Sequence, residues 1–144
     1  MKPVNRECPQ MDQKQHIAYW LDSAQHDLDA AENLFLAGKY DWCLFLGHLV
    51  LEKALKAAYV QEHKNELPPK THNLVRLIKS ASIPVDEDMI FWLDQVNDFH
   101  LEARYPDYKY EFYKTCTYEF AENHFSKIKD TFSWIKSHLK SEPS

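Results

Sequence analysis

The sequence predicts an all-α protein, folded as an up-down antiparallel bundle of four main helices plus one short helix. Apolar residues recur every three or four positions along most of the 144 residues, and no segment shows the alternation typical of a strand. Only two glycines occur, which argues against a β-sandwich and against glycine-rich phosphate loops. We assign residues 14–140 to the bundle domain, and residues 1–13, which are polar and contain Pro3 and Pro9, to a flexible N-terminal arm.

The first two helices have the clearest patterns. The first is predicted from about Lys14 to Ala37, with an apolar stripe at spacings of three and four, and Gly38 is expected to end it in a left-handed conformation. The second is predicted from about Trp42 to Glu62, with Asp41 as its N-cap. Its first half is apolar on nearly every side, which indicates a central position or a subunit interface, and Gly47 would let a neighbouring helix approach closely.

Three further helices are predicted in the second half of the chain. A short helix runs from about Asn73 to Ala81, a fourth from about Glu87 to Ala103 with Asp86 as its N-cap, and a last one from about Tyr113 to Lys140. Pro106 prevents continuation of the fourth helix, because a proline disfavours the helical conformation of the residue before it. The apolar second helix and the many aromatic side chains predict a homodimer, and the alternative is a monomer that buries these side chains internally.

Composition and charge argue against several classes of protein. Cys8, Cys43 and Cys116 are odd in number and far apart, which indicates reduced thiols in a cytoplasmic protein. The formal net charge of -5 argues against non-specific nucleic-acid binding by the whole surface. No apolar run is long enough to cross a bilayer, so we predict no association with a membrane. No two of the eight histidines have the three- or four-residue spacing of helical ligand pairs. We therefore predict no metal site and no cofactor, and we expect His48 and His124 to be hydrogen-bonded core residues.

The best polar constellation precedes Pro106. Asn97, His100 and Arg104 follow one another at spacings of three and four, so a continuous helix would place them on one face. The guanidinium of Arg104 would then stand at a helix end, where it can bind a phosphate or a carboxylate. The alternative is that Arg104 only contacts the last carbonyls of its helix or a nearby acid. Tyr108, in the next segment, could stack a base or simply pack against the last helix.

Four segments in their order and spacing resemble the signature of HEPN domains, over about residues 14 to 138. They are Trp20-Leu21-x-x-Ala24-x-x-Asp27-Leu28, Gly38-Lys39-Tyr40-Asp41-Trp42-Cys43-Leu44-Phe45 followed by Glu52-Lys53-Ala54-Leu55-Lys56-Ala57, then Thr71-His72-Asn73-Leu74, and Arg104-Tyr105-Pro106-Asp107. The resemblance implies an all-helical bundle that usually dimerises. Many prokaryotic members are encoded beside a minimal nucleotidyltransferase, and such pairs act as toxin and antitoxin.

The resemblance also bears on ribonuclease activity. Active HEPN toxins are metal-independent ribonucleases that carry an Arg, then four to six residues, then a His, near the start of the last helix. Counted from Arg104, the permitted positions hold Lys109, Tyr110 and Glu111, so this motif is missing. The Arg-Tyr-Pro-Asp version resembles the non-ribonuclease branch of the family, for which nucleotide or partner binding is the usual proposal.

We therefore predict a HEPN-like module that binds a nucleotide or a cognate minimal nucleotidyltransferase, and the missing histidine argues against an enzyme. One alternative is a ribonuclease toxin that cleaves RNA, in which His100 or Lys109 replaces that histidine. A third interpretation is a helical interaction protein without a ligand site. Catalytic residues stay unassigned. The predicted ligand- or partner-binding residues are Arg104, His100, Asn97, Asp107, Tyr108, Lys109, His72 and Lys53.

Overall fold

The computed structural model describes residues 11–64 and 66–139, and within these ranges every regular element is helical. The predicted all-α bundle is confirmed. The predicted N-terminal arm falls, as far as residue 10, outside the described residues. None of the described helices combines the length and the apolar character needed to cross a bilayer. The helices are α1 (Gln13–Leu36), α2 (Tyr40–Glu62), α3 (Leu74–Ser80), α4 (Glu87–Asn97), α5 (Pro106–Thr115) and α6 (Tyr118–Ser137), with a 3₁₀ turn over Leu101–Ala103.

Helix α2 forms the centre of the fold. It packs against α1 along much of its length, and also against α3, α5 and α6. Leu44, Leu51 and Leu55 on this helix are fully buried. This central position is one of the two that the apolar first half of the helix predicts. Because neighbouring helices pack on several of its faces, the polar side chains that α2 carries are held at fixed positions in the bundle.

The ends of the first two helices follow the expected capping rules with one exception. Helix α1 begins after Asp12, whose side chain accepts a hydrogen bond from the backbone N–H of Gln15, and Gly38 follows the helix with a φ of 78°. The prediction that Asp41 caps α2 is wrong. Lys39 occupies the N-cap, and Asp41 lies in the first turn, where its negative charge interacts favourably with the helix N-terminus.

Three small residues, Gly47, Cys43 and Cys116, are buried in the bundle. A Cβ added to Gly47 would lie 2.7 Å from Cδ1 of Ile128, so the missing side chain lets α6 cross α2 closely. Cys43 and Cys116 are both buried, with free thiols. Burial raises the pKa of each thiol to about 12, which keeps it protonated and unreactive.

The prediction for the region around Pro106 needs correction. Asp86 caps α4 as predicted, but α4 ends at Asn97, several residues before its predicted end. Pro106 then begins α5, a helix that the apolar periodicity does not reveal, and α6 starts at Tyr118, later than predicted. The physical reason is that a proline fits the first turn of a helix while it keeps the preceding residue extended, here Tyr105 with φ -76° and ψ 160°.

Candidate functional site

Polar side chains from three parts of the chain meet beside the middle of α2. The helix itself contributes His48, Glu52 and Lys56, which recur every four residues and therefore share one face. The segment before α3 contributes His72, and the turn after α4 contributes His100. We call these five residues the imidazole–carboxylate cluster.

Glu52 is a buried carboxylate with a partner on each oxygen. Its Oε2 accepts a hydrogen bond from Lys56 Nζ at 2.9 Å, and its Oε1 lies 3.0 Å from Nδ1 of His72. Burial acts to raise the pKa of Glu52, but the hydrogen bonds from Lys56 and His72 outweigh it and lower the pKa below its ordinary value. The carboxylate is therefore ionised at neutral pH although water hardly reaches it.

His48 is fully buried, and its two ring nitrogens have different surroundings. Nε2 lies 2.9 Å from the carbonyl oxygen of His72, and because a carbonyl only accepts, Nε2 must carry the proton. Nδ1 then presents a lone pair, and it faces Oε1 of Glu52 at 3.7 Å. No hydrogen-bond donor from the described residues reaches Nδ1. Burial lowers the pKa of His48 to about 4, although Glu52 opposes this shift.

His100 is also buried, and its position corrects the sequence-based geometry. Its ring lies 5.1 Å from those of Phe45 and His48 and 4.1 Å from that of His72, measured between centroids. Its Nδ1 is buried and has no hydrogen-bond partner among residues 11–64 and 66–139. Burial, followed by the neighbouring His72, lowers the pKa of His100. The expected helical line from Asn97 to Arg104 is wrong, because α4 ends at Asn97 and the His100 ring turns inward.

Asn97 connects the end of α4 to the start of α3. Its Oδ1 accepts a hydrogen bond from the backbone N–H of Leu74 at 2.8 Å, and its Nδ2 donates to Oδ1 of Asn73 at 3.1 Å. Asn73 is itself the N-cap of α3. The Asn97 side chain therefore holds the segment that carries His72 against the turn that carries His100.

Arg104 makes the local contacts that the alternative interpretation described. Its Nη2 donates to the carbonyl oxygen of Asn97 at 3.1 Å and to Oδ1 of Asp98 at 3.0 Å. The side chain is 33% exposed, and that of Asp98 is 60% exposed. Nε of Arg104 is buried without an acceptor from the described part of the chain. The guanidinium therefore has one nitrogen engaged locally and another without a partner.

A recess of about 190 Å³ opens beside Arg104. Cζ of Arg104 lies 5.3 Å from the centroid of the Tyr108 ring, and the Tyr108 hydroxyl donates to the carbonyl oxygen of Asp98 at 3.1 Å. Tyr108 therefore forms a wall of the recess and also supports the arginine. Four aromatic and four polar residues line the recess: Phe99, Tyr108, Phe112 and Phe120, with Gln95, Asp98, Glu111 and Thr115.

The remaining predicted site residues lie elsewhere. Lys53 donates to Oγ of Ser23 at 2.8 Å and pairs with Asp27 at 2.7 Å, so its ammonium group faces α1 and not the cluster. Asp107 and Lys109 are exposed on the first turn of α5. The structure thus brings His72 and His100 together, places Asn97 and Arg104 beside them along the chain, and separates Lys53 from both groups.

Sequence reasoning missed His48 and Glu52 as partners in a site. His48 was expected in the core, which is correct, and Glu52 was noted only as part of the family signature. One signal was available, because a His and a Glu four residues apart lie on one face of a helix. The spacing of histidines within one helix does not reveal a group to which three separate segments contribute.

Comparison with known proteins agrees with this fold. A family model for the HEPN domain matches residues 17–138, which confirms the predicted resemblance. A similar solved structure is that of TT1696 from Thermus thermophilus, with 22% identity over 86% of this chain and 98% of that chain, and a TM-score of 0.70. At this identity the likeness concerns the fold alone. No curated protein matches the sequence.

Proposed function

Because this chain belongs to the HEPN domain family, whose members are nucleotide- or RNA-associated helical modules, we propose that it binds a nucleotide through Arg104 and the adjacent aromatic recess. In this proposal Arg104 holds a phosphate group, and the recess walled by Tyr108 receives the base. The observation that carries the proposal is the Arg104 guanidinium packed against Tyr108, a wall of the aromatic recess, with only Nη2 engaged, by the Asn97 carbonyl and the exposed Asp98.

The ion pair between Arg104 and Asp98 is easy to exchange. Pairs between exposed groups contribute at most about 1 kcal/mol, because water and salt screen them and holding the side chains costs entropy. A phosphate offers two oxygens to the planar guanidinium, and such bidentate pairs are among the stronger hydrogen-bonded contacts in proteins. Asp98 therefore occupies, in the free protein, the position that a phosphate takes in the complex.

The recess has the chemistry of a base-binding surface. Tyr108, Phe99 and the other aromatic walls present apolar faces on which a base can stack, which contributes about 1–3 kcal/mol per base. Asp98 and Glu111 add carboxylate oxygens at the same recess, and these can accept hydrogen bonds from the amino groups of a base. The acids also make this region unfavourable for a long polyanion, which favours a small nucleotide over an extended RNA.

The test is calorimetry of the full-length protein with ATP, GTP, CTP and UTP. We expect Arg104→Ala to weaken binding at least about tenfold, since a charge-assisted contact is worth roughly 1.5–3 kcal/mol. Asp98→Asn should tighten binding up to about fivefold, because it removes a competitor worth at most about 1 kcal/mol. Arg76→Ala, at an exposed arginine on α3, serves as the control and should change nothing.

The opposite signs of these two variants make the test specific. If Asp98→Asn weakens binding as much as Arg104→Ala does, the ion pair maintains the local structure and Arg104 does not bind phosphate. If the wild-type protein binds none of the four nucleotides, the proposal is wrong. Circular dichroism of each variant verifies that the helical content is unchanged.

We further propose a homodimer, in keeping with the family, and a cognate minimal nucleotidyltransferase as a partner in a toxin–antitoxin pair in the cytoplasm. Exposed aromatic side chains support a protein contact: Tyr105, Tyr110 and Tyr113 lie largely exposed on and beside α5. Sedimentation of the purified protein measures the oligomeric state. Co-purification of the untagged native complex identifies the partner, and a preparation that stays monomeric and alone would refute both parts.

A second candidate function is ribonuclease activity. The geometry favours His72, and not His100 or Lys109, as the group that transfers the proton. His72 is 59% exposed, and the buried Glu52 holds its Nδ1, which leaves Nε2 on the opposite side of the ring for proton transfer. His100 is too buried to replace the missing motif histidine, and Lys109 lies exposed on α5. RNA cleavage in chelator that His72→Ala abolishes would favour this candidate. Cleavage that this variant leaves unchanged would exclude it.

A further inference from the structure

Three side chains that can each supply a metal ligand converge inside the imidazole–carboxylate cluster. One atom each from His48, Glu52 and His100 lies within 4.8 Å of the other two, and all three residues are buried. Nδ1 of His48 and Oε1 of Glu52 lie 3.7 Å apart. Buried polar groups normally have hydrogen-bond partners, so the unpartnered Nδ1 atoms of His48 and His100 beside the ionised Glu52 require an explanation.

The tautomer of His48 makes the arrangement unfavourable when the cluster is empty. Its Nε2 donates to the carbonyl of His72, so Nδ1 directs a lone pair toward the ionised carboxylate of Glu52. Away from water, this repulsion is poorly screened. A positive species placed between the two atoms would convert the repulsion into attraction, and a ring nitrogen of His100 lies within 4.8 Å of both other ligand atoms.

We propose that His48, Glu52 and His100 form a binding site for a divalent transition-metal ion, with zinc as the best fit. Two imidazoles and one carboxylate are ligands that zinc uses in proteins, often with a fourth position left open. Ligands in a tetrahedral zinc site lie roughly 3.4 Å apart, since each is about 2.1 Å from the metal. The 3.7 Å between His48 and Glu52 is already close to this value, so small side-chain rotations complete the site.

The residues around the three ligands orient them as outer-shell groups do in metal sites. The His72 carbonyl fixes the ring of His48, and Lys56 binds the oxygen of Glu52 that faces away from the other two ligands. The Lys56 ammonium also competes electrostatically with a metal ion, so the affinity will be lower than that of a site without a buried cation. The exposed His72 ring covers His100 and marks the side from which an ion enters.

The metal would join two segments that are distant in sequence. His48 and Glu52 belong to the central helix, and His100 belongs to the turn between α4 and α5. Binding to the folded state alone couples the ion to folding stability, which makes the site structural whatever else it does. The inference does not depend on the nucleotide proposal, because Arg104 takes no part in the ligand set.

The experiment uses the full-length protein, freed of metal with a chelator and then titrated with Co²⁺ as a spectroscopic probe and with Zn²⁺ in calorimetry. We expect one ion per chain and a visible Co²⁺ absorption of tetrahedral type, which Zn²⁺ displaces. Co²⁺ should also shift the ring-proton NMR signals of His48 and His100 in the wild-type protein. Loss of a ligand should weaken binding at least about tenfold, because even outer-shell changes cost that much.

Glu52→Gln is the main variant because it preserves the size of the side chain, and His48→Gln is the second. His26→Gln is the matched control, since His26 is 87% exposed on α1 and lies outside the cluster. Arg104→Ala should bind Zn²⁺ like the wild type. The proposal is overturned if the wild-type protein binds no Zn²⁺, if Glu52→Gln binds as tightly as the wild type, or if His26→Gln weakens binding equally.

Discussion

Two histidines in this bundle, His48 fully buried and His124 half-buried, differ in how their Nδ1 atoms are paired. His124 on α6 has its Nδ1 within 3.1 Å of the indole Nε1 of Trp92, and an indole N–H can only donate, so His124 accepts. His48 on α2 has its Nδ1 directed at the carboxylate of Glu52, and the described residues supply no donor there. Nδ1 of His124 therefore has a hydrogen-bond donor within the protein, whereas Nδ1 of His48 has none among the described residues.

The difference separates a structural histidine from a candidate ligand-binding one. The ring of His124 packs against Phe99 and Phe120, at 5.2 and 4.5 Å between centroids. The ring of His48 lies beside a carboxylate and a second imidazole that also lacks a partner. Burial alone does not reveal function, but the pairing of each ring nitrogen does.

The largest expected effect comes from zinc itself. At a free concentration of 100 times its dissociation constant, Zn²⁺ should raise the free energy of unfolding by about 2.7 kcal/mol, because it binds the folded state. Urea unfolding with and without Zn²⁺ measures this gain. The gain should persist in His124→Gln and disappear in Glu52→Gln, and a gain lost in both variants would erase the distinction between the two histidines.

Removal of the donor to His124 should produce the next largest effect. Trp92→Phe removes the hydrogen bond to Nδ1 of the half-buried His124, which costs about 1 kcal/mol, in addition to the lost packing of the buried indole. Unfolding experiments in chelator measure the loss. Zinc binding should be unchanged, and a loss of zinc affinity in this variant would mean that the two regions are coupled.

A smaller effect is expected from acid. Burial, followed by Lys127, lowers the pKa of His124 in the folded protein below the unfolded value of about 6.5. The folded state therefore takes up this proton less readily than the unfolded state does. The contribution of His124 to the free energy of unfolding is fully present above about pH 6.5 and decreases as the pH falls below that value. His124→Gln keeps an acceptor for Trp92 but does not titrate. The advantage of the wild type over this variant should shrink between pH 7 and pH 5, and a growing advantage would contradict the assignment of a neutral His124.

The smallest change in stability is expected for His100→Phe. The ring already packs against Phe45, and the substitution removes an imidazole nitrogen that lacks a partner. In chelator the free energy of unfolding should change by less than about 1 kcal/mol, because replacing an unpaired polar group by an apolar one of similar shape is nearly neutral. The same variant should lose the stabilisation by Zn²⁺. A large loss of stability in chelator would show that His100 serves the core and not a ligand.

The sequence was sufficient to predict most of the fold but only part of the candidate site. Periodicity located α1 and α2 within a few residues, and the family signature was confirmed by the family match. Helix α5 was not predicted because Pro106 indicates the end of a helix, although a proline is also favoured in the first turn of a helix. The cluster could not be predicted because periodicity within one helix does not say which segments meet. The residues around His100 in the sequence do not indicate that its ring is directed toward His48.

The contacts of Arg104 could also be predicted only in part. The alternative that Arg104 contacts local acceptors is confirmed by its hydrogen bonds to Asn97 and Asp98. The sequence could not say which acceptor, because that depends on α4 ending at Asn97. A helix that continued to Arg104 would have placed Asn97, His100 and Arg104 on one face, whereas the observed turn directs His100 inward and the guanidinium toward Asp98.

The most direct test is X-ray diffraction from crystals grown with Zn²⁺, with anomalous data collected on both sides of the zinc absorption edge. We expect an anomalous peak between Nδ1 of His48 and Oε1 of Glu52, about 2.0–2.2 Å from each, with His100 as the third ligand. We expect no peak at His124. A cluster free of anomalous signal at saturating Zn²⁺, or a peak at His124 instead, would contradict the proposed zinc site.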